Sequence, residues 1–402
     1  MARRLDPTIK KQQVLRAQLE GALQGEILTK VRRATEGVTT EFVQRTKMVA
    51  NGLKVTKETM EGLFNICEEV KQSLEFTDDV NFYIQGSSDI NAYAYISEDA
   101  DKPHIIVINS ALFNLMDEME LRYIIGHEIG HLVNKDSYIC RLYYFIYPDE
   151  DGAPEILKSR MHQYEQLAEY AADRYGYQAC MDLGACITAM YKLSCGLDLK
   201  KMGVSIDSLI NQNLEKTDYL VNNGIVTHSD HPDIPLRIHA ILMYAKCPTL
   251  KALDEGMEML FTCIPEMYHS ETDENMAILC ATAGIKLAAE DGKIDKLERD
   301  IIVEEIAKYE MEASKLLKFI LKSDVEEYYW KSLHYIVEKA PEKVEDLLRY
   351  YIDLSFADKE FQPSEMDMII EMGKQLEVSE DVIYNYIIEY LRLNYFSLAD
   401  SL

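Results

Sequence analysis

Several absences narrow the possibilities before any motif is read. None of the eight cysteines falls in a CxxC pair. Their scatter through apolar segments fits reduced, buried thiols in a cytoplasmic protein rather than a disulfide framework. The apolar patch "LYYFIYP" at 142–148 is far shorter than the roughly 20 residues a helix needs to span a bilayer. No secretory h-region follows the basic start, because Lys10, Lys11, Arg16 and Glu20 interrupt any such run. Positive charge is scarce too. The net charge is -27, and residues 1–57 hold 12 Lys/Arg against 5 Asp/Glu, so the rest is more acidic still. An acidic body repels a phosphate backbone, which argues against nucleic acid as a partner. The basic first segment reads as a solvated helix face.

What is present is enough chain for two or three domains, 402 residues with 48% hydrophobic content. Residues 1–75 show apolar positions recurring at three and four, the helical period. The pattern then changes to "VNFYIQG" (80–86), "INAYAYIS" (90–97) and "PHIIVIN" (103–109), short β-branched and aromatic runs between turn formers. They predict a small three-stranded sheet. Helical periodicity returns after Asn109, with breaks near 147–155, 222–235 and "KCPTL" at 246–250. The expected class is α+β, mostly α. The expected domains are an N-terminal helical segment at 1–75, a second domain at 76–250 and an all-helical domain at 251–402. Within the last, "KLAAEDGKIDKLERDIIVEEI" and "DLSFADKEFQPSEMDMIIEMG" echo each other, with Asp291 on Asp358 and Glu298 on Glu365.

The chemistry starts in "LRYIIGHEIGHLVNKD", 121–136. Asp117 with Glu120 three residues later is a helix start, so His127 and His131 share one helix face. Two neutral imidazoles stacked this way reach one Zn²⁺ at roughly 2.0–2.1 Å. Glu128 lies about 100° round the helix from His127, placed to reach a water rather than to be a ligand. Gly126 and Gly130 lower helix propensity and call for a packing reason, the close approach of a substrate or a neighbouring helix. A catalytic zinc site needs a third protein ligand. "LAEYAADRYGYQAC" offers Glu169, with Asp173 four residues on as an acceptor that orients one histidine through its free N–H. Glu165 on the same helix reads as an ordinary surface carboxylate. In "THSDHPDIPLRIHAI" a loop histidine, His228 or His231, would donate to an oxyanion. Arg237 would anchor a carboxylate or orient the loop.

Together, HEIGH, EYAAD and HPDIPLR resemble the gluzincin metallopeptidases that include the HtpX heat-shock proteases and the CAAX prenyl proteases. The resemblance spans about 80–245 and implies a zincin-like core. It implies His127, His131 and Glu169 as ligands of one Zn²⁺ per chain and Glu128 as general base. It further implies Asp173 as helper carboxylate, His231 as substrate-side histidine and Arg237 as the arginine. His228 and His239 match nothing in it. The membrane-embedded members differ from this chain, which is similar to the soluble branch. "AAEDGKIDKLERD" and "FADKEFQPSEMD" are similar to TerB-like helical domains, named for tellurite resistance. The implied activity is a zinc metalloendopeptidase acting on a protein or peptide, with a possible partner protein at the C-terminal domain. The alternative is a stress-linked scaffold with a silent or latent site.

Overall fold

Amphipathic periodicity at the start of the chain becomes α1 (Lys10–Ala22), α2 (Gly25–Thr35) and α3 (Thr40–Asn51), followed by β1 (Leu53–Lys54) and α4 (Glu61–Ser73). Next come β2 (Val80–Gln85), β3 (Ala92–Tyr95), β4 (His104–Asn109) and α5 (Ser110–Leu115). The helices α6 (Glu118–Asn134), α7 (Asp136–Ile146), α8 (Glu155–Cys180), α9 (Leu183–Cys195), α10 (Ile206–Asn222), α11 (Ile234–Lys246) and α12 (Leu250–Phe261) follow. The computed structural model describes residues 5–23, 25–35, 40–97, 99, 101–148, 150, 152–226, 231–265, 270–288, 294, 296–357 and 363–394. The chain divides into two compact units, Met1–Asp151 with Ser159–Glu266, and Gly152–Lys158 with Met267–Leu402.

The protein is mostly helical with one small mixed sheet, the α+β class expected. The sheet has four strands among the described residues, in the order β1-β2-β4-β3, where three were expected. The extra one, β1, pairs Leu53 with Ile84 and Lys54 with Tyr83. Two residues are too few to carry an alternation pattern, so β1 hides inside a segment that reads as helix. β2 and β4 are parallel, whereas β3 is antiparallel to β4 and forms an edge.

β4 is buried on both faces, and its period of two divides two cores. Ile106 and Ile108 join the main core with Phe82, Leu112, Ile125 and Ile129. Ile105 and Val107 point the other way, onto Tyr83 and Met48 of α3. Each such isoleucine contributes about 1.5–3 kcal/mol by burial. The sheet is thereby pinned between α3 and α6, and its β3 edge lies beside α6.

The second unit is helical: α13 (Glu271–Ala288), α14 (Lys296–Ile306), α15 (Ala313–Ile320), α16 (Val325–Lys339), a 3-10 turn at Pro341–Lys343, α17 (Val344–Ser355), α18 (Pro363–Gln375) and α19 (Glu380–Asn394). Its core gathers Leu279, Cys280, Ile302, Tyr329, Ile336 and Leu348, with α13 buried at the centre. Asp291, Asp295, Asp358 and Gln362 of the two echoing acidic loops lie outside the described residues.

Candidate metal centre

α6 is fixed at both ends by its own sequence. Asp117 caps the start: its side chain accepts from Glu120 N at 3.0 Å, while Glu120 Oε2 accepts from Asp117 N at 2.8 Å. Glu120 is fully buried and meets Lys192 Nζ at 2.8 Å and the Thr188 hydroxyl at 2.7 Å, both from α9. At the other end Lys135 takes a left-handed conformation, φ 54, and the chain turns directly into α7.

The two glycines of α6 face α8. A Cβ at Gly126 would lie 2.4 Å from Ala179 Cβ, and one at Gly130 would lie 3.0 Å from Ala172 Cα. Gly176 of α8 returns the fit, accommodating the Tyr123 ring. Small residues on both helices let the backbones approach, and this carries Glu169 and Asp173 to the histidines.

Three donor atoms converge there. His127 Nε2 and His131 Nε2 are 3.2 Å apart. Glu169 Oε2 lies 3.6 Å from His127 Nε2, and Oε1 lies 3.3 Å from His131 Nε2. A tetrahedral ion held at roughly 2.0–2.1 Å sets its ligand atoms roughly 3.3–3.4 Å apart; here the two nitrogens and one carboxylate oxygen lie within 4.8 Å of one another, and each carboxylate oxygen stands nearest a different histidine. Among the described residues this trio is the group of metal-ligating side chains that could hold an ion.

Both imidazoles are oriented from behind. His127 Nδ1 is 3.0 Å from Asp173 Oδ1, and His131 Nδ1 is 2.9 Å from Asp136 Oδ2. With both Nδ1–H groups donating to carboxylates, the two Nε2 lone pairs face each other, an arrangement that calls for a cation between them. The carboxylates around this pair of nitrogens favour positive charge there, whether an ion or a proton. Burial pushes the His131 pKa down, but Asp136 and Glu169 overcome it and hold the imidazole well above its usual value.

Asp173 is buried and also accepts from the Tyr123 hydroxyl at 2.7 Å, from Arg237 Nε at 2.8 Å and from Arg237 Nη2 at 2.6 Å. Burial raises its pKa, yet the Arg237 charge and hydrogen bonds bring it to about 2. Arg237 Nη1 also stands 3.0 Å from Glu169 Oε2, although that oxygen makes no aligned hydrogen bond. Burial likewise pushes Glu169 up, and Arg237 with the two histidines drives it well below the carboxylate range.

The buried Glu128 carboxyl moves the other way. Burial raises its pKa against the pull of His127 and His131. It lines a cleft of about 320 Å³ with the β3 edge, the three donors, His231 and Arg237. His231 is 63% exposed at that cleft, with Nε2 3.4 Å from Glu169 Oε1. His228 lies outside the described residues. His239 sits on α11 and is absent from the cleft lining.

Sequence reasoning missed Asp136. Its spacing, five residues after His131, carries no helical-face signal, because the left-handed turn at Lys135 produces the contact. Glu165 is also corrected: it is half-buried and accepts from the Tyr144 hydroxyl at 3.4 Å.

Residues 59–146 match the family model described as Peptidase family M48. That stretch holds the sheet from β2 to β4 and the HEIGH helix, but not Glu169, Asp173, His231 or Arg237. The chain is also similar to a protein named Protease HtpX homolog from Thermoplasma volcanium, 34% identical over 108 residues. The likeness takes in 25% of this chain and 34% of that protein, so the chain spans about a third of the relative's length. No solved structure matches. Among the described residues no helix is long and apolar enough to cross a membrane. Both likenesses are to proteases.

Proposed function

We propose that the chain is a zinc-dependent metalloendopeptidase. The observation that carries the reading is the convergence of His127, His131 and Glu169 donor atoms at 3.2–3.6 Å, with each histidine aligned from behind by a carboxylate. The match to a peptidase family over the HEIGH segment supports it. Zn²⁺ held by these three residues would supply Lewis-acid polarisation of a carbonyl and a lowered pKa for water. The chain's own groups do the rest. Glu128, raised by burial, takes a proton from the attacking water and passes it to the leaving amine. His231, at the exposed side of the cleft, donates to the carbonyl oxygen as charge develops there. Arg237 and Asp173 hold Glu169 and His127 in place. A peptide lies extended along the β3 edge, pairing with its backbone.

The cytoplasm as its location and a partner protein at the TerB-like helical unit belong to the same reading. The first rests on the cysteine pattern and the second on the motif resemblance.

The test is Glu128→Gln beside the wild type, with zinc measured by elemental analysis and cleavage measured on casein with and without chelator. The expected result is one zinc per chain in both proteins, with proteolysis lost in the variant and on chelation. Normal turnover by Glu128→Gln would remove Glu128 as the base. Zinc in a wild type that cleaves nothing would favour the scaffold.

A further inference from the structure

The two carboxylates behind the histidines are held in different ways. Asp173 faces a guanidinium, whereas Asp136 is gripped by neutral donors. Its Oδ1 accepts from the Tyr164 hydroxyl of α8 at 2.7 Å and from Gln12 Nε2 of α1 at 2.9 Å. Gln12 is only 4% exposed. The segment around it is tied to the same helices. Arg16 donates to the Asn134 carbonyl at the end of α6. Arg174 donates to Thr8 O at 3.1 Å, and Leu5 O accepts from Gln178 Nε2 at 2.7 Å and the Tyr244 hydroxyl at 2.6 Å. The N-terminal partners in these contacts, Leu5, Thr8, Gln12 and Arg16, precede residue 59, where the peptidase-family match starts.

We infer that Gln12 is a positioning residue of the metal centre: by donating to Asp136 Oδ1 it leaves Oδ2 to hold His131 Nδ1–H, which aims the Nε2 lone pair at His127 and Glu169. The inference rests on the proposed zinc ligation. A carboxylate with one oxygen occupied by two donors cannot swing about its Cβ–Cγ bond without breaking both. Neutral donors also leave its negative charge largely available to the imidazole, which makes His131 a more electron-rich ligand than a guanidinium-paired acceptor would. The N-terminal segment therefore stands behind the His131 side of the site, where the Gln12 amide shares Asp136 Oδ1 with the Tyr164 hydroxyl.

The test uses the full chain and the variant Gln12→Met, which keeps the length and removes the donor. Zn²⁺ affinity is measured by competition with a chromophoric chelator, the visible spectrum is recorded with Co²⁺ in the site, and metal-free unfolding is followed in parallel. The expected result is about tenfold weaker Zn²⁺ binding and a shifted Co²⁺ spectrum, with metal-free stability near that of the wild type. Gln12→Ala is expected to do the same. Wild-type affinity and an unchanged spectrum in both variants would overturn the inference while leaving the zinc site intact. So would a loss of affinity accompanied by collapse of the metal-free fold, which marks a packing role only. A wild type that binds neither ion would overturn the zinc reading itself, and this inference with it.

Discussion

Gly126 of α6 and Ala179 of α8 pack so closely that a methyl group on the glycine would sit 2.4 Å from the alanine Cβ. Neither partner is a flexible tail, so Gly126→Ala must move one helix. Two effects compete. Alanine gains about 1 kcal/mol of helix propensity over glycine, while overpacking a tight contact destabilises by about 1–3 kcal/mol. The clash wins at this distance. The variant is expected to lose about 1–2 kcal/mol in urea unfolding and to bind Zn²⁺ more weakly, because α8 carries Glu169. Adding Ala179→Gly should restore part of both, since Gly176 Cα and Tyr175 O still lie 3.1 Å away. A single variant as stable and as tight-binding as the wild type would show that the helices are not held in register by this contact.

Arg237 is the cation between two buried carboxylates, 2.6 Å from Asp173 Oδ1 and 3.0 Å from Glu169 Oε2. Removing one member of a buried ionic cluster leaves uncompensated charge, which typically destabilises by about 3–5 kcal/mol. Arg237→Met should show a loss of that order in metal-free protein. Arg237→Lys keeps the charge but not the two-pronged grip on Asp173, so its loss should be smaller. Urea unfolding of the three proteins without metal checks both. A loss below about 1 kcal/mol for the methionine variant, the range of an exposed pair, would mean that the cluster is more hydrated than its burial implies.

Much of the site was legible because its residues are paired within helices. Four-residue spacing places His127 with His131, and Glu169 with Asp173, on shared faces whatever the tertiary structure does. The glycines at 126 and 130 announced that a neighbouring helix or a substrate approaches closely. The remainder depends on backbone events or distant contacts that no local pattern encodes. Asp136 reaches His131 through a left-handed turn at a lysine, a conformation that favours glycine or asparagine. Gln12 lies 124 residues from the carboxylate it touches, and an amide inside a polar helix looks like any solvated glutamine. β1 was hidden for a different reason: two residues have no period.

His239, on α11, has no counterpart in the motif resemblance and no place in the proposed chemistry, yet it should leave a mark on stability. It is half-buried, and its Nδ1 is buried without a hydrogen-bond partner. Burial, helped by Lys246 and opposed by Asp218, lowers its pKa below the ordinary 6.5. The fold therefore prefers the neutral ring. Above pH 6.5 the ring is neutral in both folded and unfolded chains, so its contribution to stability is fully present. As the pH falls below 6.5 the unfolded chain takes up a proton first, and the contribution is lost down to the folded pKa. Other groups titrate in the same window, so the informative quantity is the difference between wild type and His239→Gln. Measured by urea unfolding from about pH 8 to about pH 5, the wild type should lose more stability than the variant as acid is added. Curves that stay parallel through that range would show that His239 titrates alike in the folded and unfolded chains.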